Sequence, residues 1–284
     1  MIQKENNTVN TGQAWHKLYA RLEQDYLLPG EAVKKPFRFS RPMIGWAVAI
    51  TALCISAATV LFLRDNDSNV NSNLLTLHNE KGSATLVTTL EDGSIVYLSG
   101  DTRLQYPEHF AEEKREVKLE GNALFDVAGN RERPFLIETE LIRIEVVGTS
   151  FNVQSTGHIP FELSVQRGEV KVTYKKSGES LRVKAGEKVT LASNRLRLEQ
   201  VQNDEIFAGY CKKIRFKDEK LGDILRVINK KSTNITLQVT PSLENRQLTV
   251  TFDNESPETM ARLICIAFNL TCTIDNNVLL ISEP

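Results

Sequence analysis

Histidines, cysteines and paired carboxylates would carry any catalysis or metal binding, and in this 284-residue chain they are scattered. His16, His78, His109 and His158 stand alone, none at the spacing of a metal-ligand pair. Glu112-Glu113 lies inside the charge run AEEKRE, the pattern of a solvated turn rather than of a working acid and base. There is no G-x-S-x-G elbow, no GxxxxGK[ST] phosphate loop and no GxGxxG. The reading is therefore no enzyme, no cofactor and no metal; a hydrolase on a β-scaffold is the catalytic rival, without a residue constellation behind it. Cys54 falls in an apolar run, leaving Cys211, Cys265 and Cys272 beyond it with no C-x-x-C. These three are expected to be small buried apolar residues, with one bridge between two of them open in an oxidising compartment. Charge adds a further exclusion. Lys and Arg number 35 against 36 Asp and Glu, spread along the chain, so no basic surface argues for direct nucleic-acid contact.

Binding, rather than chemistry, is what the N-terminal residues offer. Trp15, Leu18, Tyr19, Leu22 and Tyr26 recur at helical spacing and form one stripe of a helix over 11–28, which Pro29-Gly30 ends. A segment this short has no core of its own. The stripe must dock on a protein by helix-in-groove packing, or lie on the inner leaflet with Lys34, Lys35, Arg38 and Arg41 near anionic lipid.

The next element separates compartments. Met43 to Leu63 reads MIGWAVAITALCISAATVLFL, 21 residues without a charge. As a helix it is about 31 Å long, enough to cross a bilayer core. Lys34, Lys35, Arg38 and Arg41 precede it, so residues 1–42 are expected in the cytoplasm and the long C-terminal piece outside. The run begins too late and is too long for a cleaved signal peptide.

Beyond a polar linker at 64–73, period-2 alternation dominates residues 74–203 and predicts an all-β sandwich or roll. Glu91-Asp92-Gly93-Ser94 marks a hairpin between apolar strands. Val117, Leu119, Gly121, Ala123, Phe125 and Val127 alternate with polar residues. Phe161–Val165 and Val170–Tyr174 are expected to form a second hairpin about Arg167-Gly168-Glu169. Residues 212–284 change to a small α+β domain. Leu221, Ile224, Leu225 and Ile228 mark one helix; Met260, Leu263, Ile264 and Ala267 mark another, capped by Ser256 with Pro257 in its first turn. The fold class is thus a single transmembrane helix followed by an all-β domain and a small α+β domain.

Several motifs in order resemble the FecR-type regulators, membrane-anchored anti-sigma factors of Gram-negative bacteria. They are Asp92-Gly93 in the first hairpin, Leu104 with Tyr106-Pro107, the run Arg115 to Ala123 with Gly121, and Pro134-Phe135. Gly148-Thr149-Ser150-Phe151-Asn152 completes the set, and the match covers about residues 75–190. The C-terminal domain is similar to the signalling-like domain of FecR-type proteins from Bacteroidetes. The chain departs from the family in Asn122, where Glu is usual, and in a cytoplasmic segment shorter than the family's. The resemblance implies an inner-membrane, single-pass signal transducer. Inside, an extracytoplasmic-function sigma factor would dock on Trp15, Leu18, Tyr19 and Leu22. In the periplasm, the partner would be the signalling domain of a TonB-dependent outer-membrane transporter for iron chelates or glycans. The alternative is an anchored periplasmic binding or scaffold protein without sigma output.

Overall fold

The computed structural model describes residues 11–24, 74–157, 159–201 and 204–284. The chain divides into two compact units, Met1–Asn69 and Val70–Pro284. The apolar run 43–63, its basic flank, the linker 64–73, residues 25–28 of the expected helix, and His158 lie outside the described residues. No helix among the described residues is long and apolar enough to cross a membrane. In the first unit, helix α1 (Thr11–Gln24) carries Trp15, Leu18 and Tyr19 exposed and Leu22 half-buried.

The second unit begins with thirteen strands in two layers. They are β1 (Leu74–Asn79), β2 (Thr85–Thr89), β3 (Ile95–Leu98), β4 (Thr102–Pro107) and β5 (Arg115–Asp126). Then come β6 (Phe135–Glu138), β7 (Ile142–Val146), β8 (Ser150–Ser155), β9 (Glu162–Arg167), β10 (Glu169–Tyr174), β11 (Ser180–Lys184), β12 (Glu187–Ala192) and β13 (Arg195–Gln200). Strand β5 belongs to both layers. Its first half pairs with β4 and, in parallel, with β6; its second half pairs with β3 and β8. The changeover falls at Gly121, whose φ of +109° is a conformation that L side chains rarely adopt. A Cβ there would also sit 2.7 Å from the Thr102 hydroxyl. From Arg115 to Phe125 the odd-numbered residues point into the core between the layers, as the alternation predicts.

The first hairpin forms as expected, β2 pairing with β3 around Gly93. The expected hairpin about Gly168 does not. Strand β9 pairs with β8 and β12 in one layer, while β10 pairs with β7 and β11 in the other. A single residue between two strands cannot reverse the chain into a ladder, and it makes a corner between sheets instead. Gly168 is needed there, with φ +88° and Thr149 Cγ2 2.6 Å from where a Cβ would be. A true two-residue turn, Ser193-Asn194 with both φ positive, joins β12 to β13.

The remaining elements are α2 (Asp204–Tyr210), β14 (Lys213–Lys220), α3 (Leu221–Asn229), β15 (Thr236–Val239), β16 (Gln247–Asp253), α4 (Pro257–Phe268), β17 (Thr271–Asp275) and β18 (Val278–Ser282). Strand β14 lies parallel to β2 and so extends one layer of the β-region, with β16 next to it. Leu221, Ile224, Leu225 and Ile228 are buried as expected. Ser256 caps α4, its hydroxyl accepting from Thr259 N. The buried face of α4 departs from the expected stripe: Ala261 and Cys265 are inside, whereas Leu263 and Ala267 are exposed. On that inward face Cys265 is disulfide-bonded to Cys272 on β17, the kind of bridge that the sequence left open between two of its three cysteines beyond the apolar run. Cys211 is free.

One consequence of the β14–β2 pairing concerns the core. Val87, Ile95, Tyr97 and Leu124 point away from the sandwich interior and are buried with Ile214, Phe216, Leu221 and Ile264 of the C-terminal elements. That layer is covered on both faces, which explains the unbroken apolar run IVYL of β3.

Candidate interaction surfaces

The motif residues converge on a buried polar node. Arg115, 1% exposed, donates from Nη1 to Asp92 Oδ2 at 2.6 Å and to Ala128 O at 2.9 Å, and from Nε to Arg133 O at 2.8 Å. Its guanidinium lies 5.4 Å from the Phe135 ring centroid. Asp92 also accepts from the Ser94 amide and hydroxyl, and Ser94 Oγ accepts from Ala128 N. Phe135 meets Phe125 edge-on, and Phe125 stacks on Phe151 at 5.5 Å. A Cβ on Gly148 would collide with Gly129 Cα, and Thr149 O accepts from Val127 N. Pro134 O accepts from Arg115 N, while Tyr106 and Pro107 pair with Leu75 and Leu74 on β1. Nearly all the motif therefore builds the scaffold. Asn152 is different, because its Oδ1 accepts from the Tyr210 hydroxyl of α2 at 2.7 Å. Asn122, at the departure from the family pattern, is held by its backbone to Thr102 and Ser99.

A second junction residue has no motif signature. Glu219 on β14 is buried and accepts from Thr88 Oγ1 at 3.2 Å and Thr89 N at 3.0 Å, both on β2. Burial pushes its carboxyl up to about 7, with the nearby Asp223 adding to the rise and hydrogen bonds from Thr89 and Thr88 opposing it. In the sequence Glu219 sits within the charged run KDEK, which reads as a solvated face. A bulge between Phe216 and Glu219, with Asp218 at φ +51°, turns it inward. Nothing in residue spacing signals that bulge.

A groove of about 810 Å³ crosses the β4–β7 face, lined by charges of both signs including Arg103, Lys118, Glu120, Arg143 and Lys175. Glu138 in it is bridged by Lys175 at 2.6 Å and by Arg143. Burial raises this carboxyl, but the two cations outweigh it and hold it below its usual range. Among the described residues, no group of three or more His, Cys, Asp or Glu side chains is placed to hold a metal ion. His109 is exposed beside Glu91, whose hydrogen bond raises the imidazole's proton affinity. Surfaces suited to partners lie elsewhere. They are the α1 stripe, Leu263 and Ile266 on α4 (Ile266 79% exposed), and Ile274 on β17, an edge strand of the three-stranded sheet.

The family description "FecR protein" matches residues 77–171. Two crystal structures of a candidate anti-sigma factor from Parabacteroides distasonis ATCC 8503, at 2.50 and 1.65 Å resolution, are similar at 20% identity. Each has a TM-score of 0.46 and covers 74% of this chain and 99% of its own. No curated protein matches the chain. The buried node, the crease at Gly121 and the corner at Gly168 all fall inside the span 77–171 that matches the FecR family model.

Proposed function

We propose that this chain is a single-pass inner-membrane regulator of an extracytoplasmic-function sigma factor, an anti-sigma factor that relays the state of an outer-membrane TonB-dependent transporter. The observation that carries the reading is the FecR domain at 77–171, set beyond an apolar run long enough to cross a bilayer. On the other side of that run, α1 presents Trp15, Leu18 and Tyr19 to solvent. Exposed aromatic and aliphatic side chains on one helix are the anchors that helix-in-groove docking uses. In the periplasm the C-terminal elements present strand β17 to the transporter's signalling domain, where strand addition supplies backbone hydrogen bonds. Signalling then requires that the partner favour one of two states of the regulator.

The deciding experiment co-expresses residues 1–42 with the sigma factor encoded nearest the gene and asks for co-purification. Retention, abolished by Trp15→Ala with Leu22→Ala, is expected. A folded sigma factor that is not retained would overturn the cytoplasmic output and leave an anchored periplasmic binding protein.

A further inference from the structure

We propose that the seam between the FecR domain and the C-terminal elements is a proton-sensitive joint, closed when the Glu219 carboxyl is neutral and loosened when it ionises. The inference concerns residues 74–284 alone and stands whether or not α1 binds a sigma factor.

The geometry is that of a joint. Only three residues of β14, Ile214 to Phe216, pair with β2. Beyond them a bulge in the register of β14 with β16 accompanies a Glu219 side chain that reaches Thr88 and Thr89, so the carboxyl continues the contact where pairing with β2 stops. Among the described residues no Lys or Arg forms an ion pair with Glu219, whose partners on β2 are a hydroxyl and a backbone N–H. The titratable and charged groups facing it are few. Tyr106 on β4 lies near it across the seam, and the carboxylate raises that phenol's proton affinity further after burial does so. Asp223 on α3 repels it, and Lys220, next in the chain, attracts it. From β16 it faces Leu248, which is uncharged. A buried carboxylate with hydrogen bonds but no partner cation is costly to ionise.

The sign follows from linkage. The closed seam holds the Glu219 proton to about pH 7, whereas an opened seam returns the carboxyl to its usual value near 4.5. Closure is therefore favoured at low pH and weakens as pH rises from about 4.5 to 7, levelling off above. Neutral Glu219 also gains an O–H that can donate to Thr88 Oγ1, while Thr89 N–H donates to the carboxyl in either state. A periplasm that acidifies would stiffen the link between the two regions, and a neutral one would free the C-terminal elements to exchange partners.

The test is amide hydrogen exchange on the full chain in detergent micelles at pH 5 and pH 8. Rates at Ile214, Arg215 and Phe216 are corrected for intrinsic exchange and referenced to β5–β8 amides of the same molecule. Seam protection is expected to fall by up to roughly a hundredfold between the two pH values, and Glu219→Gln, a neutral isostere, is expected to remove that dependence. Seam protection that does not change with pH, or a Gln variant that keeps the wild-type dependence, overturns the proposal. Should the variant fail to fold, a carboxyl ¹³C titration of the wild-type chain decides. A Glu219 midpoint near neutrality supports the joint, and one near 4.5 rules it out.

Discussion

At the scale of single residues, Arg115 and Asp92 show how a motif can be specific without being chemical. The pair is sealed in the β-region, with side-chain exposures of 1% and 9%. Each remaining donor of the guanidinium is spent on backbone carbonyls of the loops that follow β5 and β7. A lone charge left in that setting is far costlier than the intact pair is beneficial. Arg115→Met is therefore expected to destabilise the second unit by about 3–5 kcal/mol. The double variant with Asp92→Asn should recover part of that loss, because the two changes act on one network. Urea unfolding followed by far-UV circular dichroism reads both, since Trp15 and Trp46 lie outside the second unit. Single variants that each cost less than about 1 kcal/mol would mean that water or loop movement already relieves the node. The same scale shows what residue spacing hides. Arg115 stands in an alternating strand and Glu219 in a charge run, yet both are buried, and only the pairing partners of their strands reveal it.

Secondary elements were legible where one periodicity acts alone. Strand β5, the β2–β3 hairpin, the face of α3 and the cap of α4 follow from alternation, Gly93, helical spacing and Ser256-Pro257. The corner at Gly168 was not, because a glycine between two apolar strands looks the same whether the chain turns back on itself or changes layer. The choice is made by distant strands, β8 and β12 claiming β9 while β7 and β11 claim β10. The face of α4 was open, because Ala261 and Cys265 recur with Met260 and Ile264 at helical spacing just as Leu263 and Ala267 do. The Cys265–Cys272 bridge supports an expectation. Cys265 and Cys272 are 7 residues apart, and closing so short a loop restricts the unfolded chain by about 2–3 kcal/mol. Replacing both by Ala should speed amide exchange in β17 and β18 while leaving β5–β8 unchanged. Equal acceleration throughout the second unit would instead show that the bridge holds the whole unit rather than one corner of it.

Across the whole molecule, the C-terminal elements are part of the β-region's own packing. Val87, Ile95, Tyr97 and Leu124 are all nearly inaccessible to solvent, and their cover is β14, α2 and the helices behind them. Burial of this kind also pushes up the proton affinity of the Tyr97 phenol. Removing residues 202–284 would expose these four side chains together and leave β2 as an open edge. Each fully buried side chain of this size contributes roughly 1.5–3 kcal/mol, and a contiguous apolar patch beside an unpaired strand is a site of self-association. A 70–201 fragment is thus expected to bind a hydrophobic dye and to sediment as dimers or larger species, whereas a 70–284 fragment under the same conditions does neither. Val87→Thr with Leu124→Gln in the shorter fragment should reduce both signals, which separates patch-driven association from general unfolding. If the 70–201 fragment is instead monomeric, dye-free and as stable as the longer one, the shared core contributes nothing. The two regions would then be free to move apart at every pH, and the proton-sensitive joint at Glu219 would fall with it.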